Sequence, residues 1–417
     1  MKKYTGFDFI CIDVANNGYD DKKLFEERIQ WVKDNFNRLT VLKTSNKERP
    51  LYIKAVMALL DACKGRDIGH LVGLDATCSG MSIMSVLTKC YNGCLATNLI
   101  DPNKRNDAYT MVTDAASVLL DGELIISRDD AKQATMTALY GSQKEPKNIF
   151  GEDTPELDAF YGGLTQIAPL AVELLGDLRQ AWQPFALQHK WILPDNFHAI
   201  VKVMQKVEGE RVEVDELDHS TFTYDYYVNE GTKSDLKLVA NVTHGFDAYL
   251  LRCMDRRCNY DPAVVRFAKI VLERELECRA KGVHWEQDLF DIAEPAHVYI
   301  ERYGACKVPD VVMLPYLDHD NVAYMSDLHI SGLLHIVKTM LEWPSFEIVT
   351  VHDEFKCHPN NCNQMRWHYM NILADLARGR ALEDVYEQIT GVVPTYNRSM
   401  DGQELAKLIL GSNYSLS

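Results

Sequence analysis

A mostly helical α+β fold is predicted by three features of the sequence. Stretches such as "DDKKLFEERIQWVKDNF" (20–36) and "LYIKAVMALLDACKG" (51–65) space apolar residues among charges as amphipathic helices do. Strand-like runs are short, the clearest being "FEIVTV" at 346–351 and the apolar lead into Asp75. The chain of 417 residues is long enough for two or three domains with large cores, and it carries no low-complexity tract or solenoid repeat.

Composition narrows the classes of function. No apolar run reaches the roughly 18–20 residues needed to span a bilayer. The N-terminal stretch has two lysines but no long apolar segment or cleavage site, so no secretory signal is read. Eleven cysteines without paired spacing fit a reducing cytosol. Cys253, Cys258, Cys278 and Cys306 with His284 and His297 are conceivable zinc ligands, but no CxxC occurs and idle thiols are the simpler reading. The formal net charge of −16 argues against a chain that grips nucleic acid unaided, because phosphate binding wants a basic surface. Any such role needs local basic patches or a second protein.

Taken in order, the first seventy residues read as helices, the second ending at Gly65. "HLVGLDATCSGMSIMSVL" reads as a short strand, a turn from Asp75 to Gly80, and a helix. "SRDDAKQATMTALYGS" is a helix capped by Ser127 and stopped at Gly141. Thr154, Pro155 and Glu156 start further helices. From Trp191 to Val242 the pattern shortens, and "RVEVDEL" with "STFTYDYYV" reads as a projecting hairpin. Helices are expected at 244–280, while 281–330 resists assignment. A helix, a buried strand at 346–351 and a helical tail from Asn363 complete the chain.

Three constellations carry chemistry. Asp75 ends a strand and is followed by small residues; alone, such an Asp is usually a turn former. Arg128, Lys132, Met136 and Tyr140 are four apart and share one helix face. Forked guanidinium, ammonium and phenol in line suit a triphosphate and a sugar, although a surface helix with ordinary cations is the bland alternative. Asp129 and Asp130 suit the helix N-terminus but would oppose an anion they faced. The strand 346–351 ends on His352-Asp353-Glu354. If it neighbours the strand of Asp75, the two aspartates can hold two Mg²⁺ ions about 3.5–4 Å apart.

These segments resemble, in order, the three polymerase motifs of the single-subunit DNA-directed RNA polymerases of bacteriophages and mitochondria. "VANNGYDDKKLFEERIQWVKDN" resembles the lead-in to the first motif. "WILPDNF" at 191–197 resembles a Trp-x-x-Pro-Asp-Gly-Phe stretch, with Asn196 in place of Gly, and "NVTHGFDAYLLR" at 241–252 resembles the His-x-x-Asp segment. The resemblance runs from about residue 10 to the C-terminus. It implies a right-hand palm and fingers like those of family-A DNA polymerases. It makes Asp75 and Asp353 metal ligands, with the Ala76 carbonyl as a further contact for two Mg²⁺ ions. It puts Arg128 and Lys132 on the incoming triphosphate, with Lys132 a candidate acid for the leaving pyrophosphate. Tyr140 is placed by the sugar, Gly141 beside the template base, and His244 against the nascent pair and linked to Tyr140. The implied layout is lead-in helices at 1–70, palm at 71–127, fingers at 128–190, a hairpin and His-x-x-Asp region at 191–252, an insertion at 253–335, and palm with tail at 336–417.

Glu354 departs from the RNA polymerase pattern and resembles the "VHDE" of family-A DNA polymerases. Five residues after the first Asp, those enzymes carry a Glu that collides with a 2′-hydroxyl, whereas this chain has Gly80. The 2′-hydroxyl distinguishes the substrates, so ribonucleotides are expected. Phage relatives are about twice as long, and the chain starts just before the lead-in helices. It is therefore expected to lack its own N-terminal domain, thumb and Asp-x-x-Gly-Arg grip. In this it resembles the larger, catalytic subunit of the two-subunit RNA polymerase (RNA polymerase II) of schitovirus-group bacteriophages. The expected partners are a basic second subunit, DNA template, RNA product, rNTPs and a recruitment or melting factor, with no membrane, in the cytoplasm of an infected bacterium. The acidic "EVDELD" at 213–218 gives little sign of promoter reading, and relatives tuck their last residues near the active site. Two other classes stay open: a metal-dependent HD phosphohydrolase using His319-Asp320 and His352-Asp353, and a catalytically silent assembly subunit.

Overall fold

The computed structural model describes residues 1–44, 49–122, 126–231, 237–283, 294–395 and 398–417. The lead-in is three helices: α1 (Gly6–Gly18), α2 (Phe25–Asn35) and α3 (Arg49–Cys63). Thr5 and Asp8 close a reciprocal capping box at the start of α1, satisfying two orphan N–H groups. β1 (Val72–Asp75) follows, then α4 (Ser79–Thr88), α5 (Tyr91–Ala96) and α6 (Ala108–Leu119). Next come α7 (Arg128–Leu139), α8 (Lys144–Phe150), α9 (Pro155–Ile167) and α10 (Pro169–Gln180). Two hairpins intervene, β2 (Gln188–Ile192) with β3 (His198–Lys202), and β4 (Met204–Val214) with β5 (Ser220–Gly231). The chain continues through α11 (Lys237–Cys258), α12 (Pro262–Ala280), α13 (Glu294–Cys306) and α14 (Asp327–Met340). It ends with β6 (Val349–Val351), β7 (Glu354–Cys357), α15 (Cys362–Arg378), α16 (Ala381–Thr390) and α17 (Gly402–Gly411). The mostly helical α+β class is observed. No helix of the described residues is long and apolar enough to cross a membrane.

The sheet that organises the cleft has three antiparallel strands in the order β1-β7-β6. Val72 pairs with Cys357 and Leu74 with Phe355, and all four are at most 1% exposed. Gly73 pairs with Lys356 and Asp75 with Glu354 on the opposite face, as the two-residue period of a strand requires. The buried face rests on the main core, which gathers residues from α1 through α17.

The reading of 346–351 as a buried strand needs correcting. Only Val349–Val351 form a ladder, at the sheet's edge, and Val349 and Val351 are about half exposed on the open face. The buried strand is β7, which follows the His-Asp pair. His352 and Asp353 are thus a two-residue hairpin loop, with His352 at φ 56. Asp75 is consequently matched by β7, and not by the strand leading into Asp353.

Two further boundaries differ from expectation. Helix α11 begins at Lys237, and the predicted run to 280 breaks where Asp261 caps α12 and Pro262 occupies its first turn. Part of the unreadable 281–330 segment is α13 and the start of α14; residues 284–293, including His284, lie outside the described residues. α12, α14 and the turns between α13 and α14 enclose a second apolar core running from Val265 to Met340. Cys253, Cys258 and Cys306 are buried and Cys278 half-buried; the Cys253 thiol donates to Asp310 Oδ2 at 3.2 Å.

At the other end, Leu416 forms a β-bridge with Ala76, and the Ser417 N–H donates to the Asp75 carbonyl at 3.0 Å. Tyr414 to Ser417 are all buried, so the tail packs beside β1 as expected.

Candidate active site

The turn after β1 and the loop after β6 are joined by their backbones. The Ala76 N–H donates to the Asp353 carbonyl at 3.3 Å, one step past the Asp75–Glu354 pair. This register sets three carboxylates on neighbouring strand ends. The Asp75 side chain faces the open side of the sheet, yet surrounding protein and its acidic neighbours act on it. Burial, then Asp353 and Glu354, push its carboxyl up to about 7, with Lys132 opposing.

A cavity of about 550 Å³ opens beside these residues. Ala76, Gly80, Met136, Tyr140, His244 and Asp353, six of the predicted site residues, line it together. They come from the β1 turn, α4, α7, α11 and the β6–β7 loop. Tyr140 follows the last turn of α7 and stacks on His244, with ring centroids 4.5 Å apart and planes 26° apart. The expected link between His244 and Tyr140 is therefore a stacking contact. The Tyr140 hydroxyl instead donates to Asp247 Oδ2 at 2.7 Å. Burial raises the carboxyl of Asp247, while the Tyr140 hydrogen bond opposes that shift. Asp247 lies three residues after His244 on α11, so both reach the same cleft. Gly80 is buried against the same tyrosine: a Cβ there would sit 3.4 Å from the Tyr140 ring and hydroxyl. Gly141 has φ +92, the left-handed conformation that ends α7, and its carbonyl accepts from Arg179 Nη2 at 3.2 Å.

Arg128 and Lys132 stand about three and two turns before Tyr140 on α7, whose N-terminus is capped by the Ser127 side chain on the Asp130 N–H. Both cations lie over the Tyr109 ring, at 5.6 and 5.8 Å from its centroid. Tyr109 lines the cavity, so its ring connects the cations to the cleft. Asp107 accepts from Arg128 Nε at 2.5 Å and lies 3.9 Å from Lys22 Nζ. Burial works against the charged Asp107 carboxylate, but Arg128 outweighs it and holds that group below its ordinary range. Asp107, Tyr109, Lys22 and the role of Asp247 were not singled out in the sequence. Asp107 reads there as a helix cap, which it also is, accepting from the Tyr109 N–H.

Glu354, the residue that departs from the expected pattern, is held in place by local packing. Its carboxylate pairs with Lys356 Nζ at 2.9 Å and lies over Gly73, where a Cβ would come within 2.0 Å of Glu354 Oε1. Gly73 makes room for the glutamate on the open face of the sheet.

The cleft carboxylates fit a divalent hard cation. They supply oxygen donors, and the repulsion that raises Asp75 is the kind a bound cation relieves. Among the described residues, the group of three ligand atoms lying within 4.8 Å of one another is Glu213, Asp215 and His219, exposed at the β4–β5 tip and away from this cleft. The second His-Asp pair, His319 and Asp320, borders a different cavity beside α12 and does not join His352 and Asp353.

Residues 2–145 match the family model for DNA-dependent RNA polymerase. The chain is an enzyme, a nucleotidyltransferase of the RNA polymerase kind. The matched third of the chain takes in Asp75, Gly80, Arg128, Lys132, Tyr140 and Gly141 and stops short of His244 and Asp353. No curated protein matches the chain. An RNA polymerase acts with a DNA template, ribonucleoside triphosphates and an RNA product.

Proposed function

We propose that this chain is the catalytic subunit of a DNA-directed RNA polymerase that works with a second chain, in a palm-and-fingers arrangement. The observation that carries the reading is the β1–β7 register. It sets Asp75 opposite Glu354 and ties Ala76 to Asp353, beside a cavity also lined by Gly80, Tyr140 and His244. Asp75 and Asp353, with the Ala76 carbonyl, would hold two Mg²⁺ ions. Bound there, the ions lower the pKa of a 3′-hydroxyl and stabilise the departing pyrophosphate.

The chain's own residues orient the reactants. Arg128 and Lys132, braced over Tyr109, bind the triphosphate, and Lys132 offers a proton to the leaving pyrophosphate. Tyr140, fixed by Asp247 and His244, covers the sugar, and the space left by Gly80 admits a 2′-hydroxyl. The new bond joins the RNA 3′-oxygen to the α-phosphorus, and the bond to pyrophosphate breaks. The net charge of −16 supports a basic second chain that carries much of the hold on nucleic acid. The resemblance to the schitovirus-group enzyme supports the same division of labour and, with it, work in an infected bacterium.

The test is nucleotide incorporation by the enzyme purified from its native source, on single-stranded and duplex templates. Template-dependent incorporation of rNTPs in preference to dNTPs is expected. Equal use of dNTPs would instead favour a family-A-like DNA polymerase. Phosphate release without template would favour the hydrolase class.

A further inference from the structure

An arginine on the first residue of a helix has many rotamers, so a guanidinium that must meet a phosphate needs an anchor. For Arg128 the anchor comes from another element. Asp107 precedes α6, and its two carboxylate oxygens have separate tasks. Oδ1 accepts from the Tyr109 N–H at 3.2 Å and caps α6. Oδ2 accepts from Arg128 Nε at 2.5 Å and from the Thr110 hydroxyl at 3.0 Å, with Lys22 Nζ 3.9 Å away. The Asp107 side chain is 21% exposed and that of Arg128 31%, so water competes only in part for this pair. One carboxylate therefore fixes both the backbone of Tyr109 and the guanidinium over its ring.

Asp107 holds Arg128 by Nε and leaves its Nη pair. Nη1 lies 3.7 Å from Asp129, a carboxylate 95% exposed, and such a surface contact gives way easily. We propose that Asp107 is a positioning residue for the nucleotide, turning the Arg128 guanidinium so that its two Nη groups present a fork to the triphosphate. This rests on the reading of Arg128 as a triphosphate contact, and adds the group that aims it. By charge alone, a carboxylate beside a site for a polyanion weakens binding. Charge and aim therefore predict opposite signs. Removing Asp107 should tighten nucleotide binding if only its charge matters, and loosen it if it aims Arg128.

The test is steady-state rNTP incorporation by the enzyme, assembled as in its native source, with kcat and KM measured separately. Asp107→Ser keeps a cap for α6 but is too short to reach Arg128 Nε. It should raise KM for rNTPs about tenfold and leave kcat within about threefold. Asp107→Asn, which keeps one uncharged oxygen acceptor, should raise KM by less, and it carries the test if the serine variant melts well below the unmodified chain. The double variant Asp107→Ser with Arg128→Gln should be no worse than Arg128→Gln alone, because the anchor has nothing left to aim. A KM that stays the same or falls in both Asp107 variants, or losses that multiply in the double variant, overturns the positioning role while Arg128 keeps its own. An Arg128→Gln enzyme with unchanged KM overturns the triphosphate reading itself.

Discussion

Gly80 and Tyr140 border one space in the cleft, and the proposed function puts substrate choice there. An added Cβ at Gly80 would meet the Tyr140 ring at ordinary van der Waals distance, so a larger side chain acts mainly through its outer atoms. Gly80→Glu is expected to lower kcat/KM for rNTPs by roughly 10- to 100-fold with a much smaller effect on dNTPs. Paired incorporation assays check this, and an equal loss for both sugars would assign the effect to misfolding. Tyr140→Phe removes the donor to Asp247 and, on the proposed reading, the polar group by the sugar. The rNTP-over-dNTP preference should fall about tenfold, and an unchanged ratio would remove Tyr140 from sugar recognition. At this scale the sequence revealed residues whose type and spacing already imply chemistry: Asp75, the cations four apart on α7, Tyr140 and Asp353. It concealed Asp107, Tyr109 and the role of Asp247. Their significance comes from neighbours that folding brings to them from 21, 19 and 107 positions away, Arg128 for the first two and Tyr140 for the third.

Among the elements, α7 was legible because its cap, its four-residue spacing and its stop are all local signals. β6 was misread for the opposite reason. A run of β-branched residues looks the same whether it is central or at an edge, and exposure depends on partners far along the chain. The turn between β2 and β3 combines both kinds of signal. Asn196 has φ 63, the left-handed conformation for which glycine is best suited, so its place in "WILPDNF" is local. Asp195 beside it is different: its side chain is fully buried, accepting from Arg252 Nε at 2.6 Å and Arg256 Nη1 at 3.0 Å on α11. The pair of arginines holds its carboxyl below the ordinary range against the effect of burial. Asp195→Ala would strand the Arg252 guanidinium and leave Arg256 only its longer pair with Asp310 at 3.7 Å, and should cost about 3 kcal/mol. Chemical denaturation measures it; a loss below about 1 kcal/mol would show that α11 does not depend on this clamp.

For the whole molecule, two buried imidazoles couple folding to acidity. His368 sits in the main core against Gln364, and His329 stacks on Tyr303 at 3.8 Å beside the second core. Burial lowers both pKa values to about 3 from 6.5. Between those values the unfolded chain binds more protons than the folded one, so stability falls as pH drops below about 6.5 and the loss levels off near 3. At pH 5 each imidazole accounts for on the order of 2 kcal/mol. Thermal melts from pH 7 to 5 should show the fall, and His368→Gln should remove about half of the contribution of the pair. A flat profile would contradict neutral burial. The fold class was legible from helical periodicity, but the second core was not. Its apolar residues come from α12, α14 and short turns whose sequences signal no regular element.

The central claim is that Asp75 and Asp353 act together as the metal-binding pair of nucleotidyl transfer. Its most direct test is the Mg²⁺-dependent rate of single-nucleotide RNA extension by the enzyme, assembled as in its native source and carrying Asp75→Asn, Asp353→Asn or both. Each single variant should lose roughly a thousandfold in rate, and the double variant should be little slower than either, because both residues serve one site. Single variants within about tenfold of the unmodified enzyme would contradict the account.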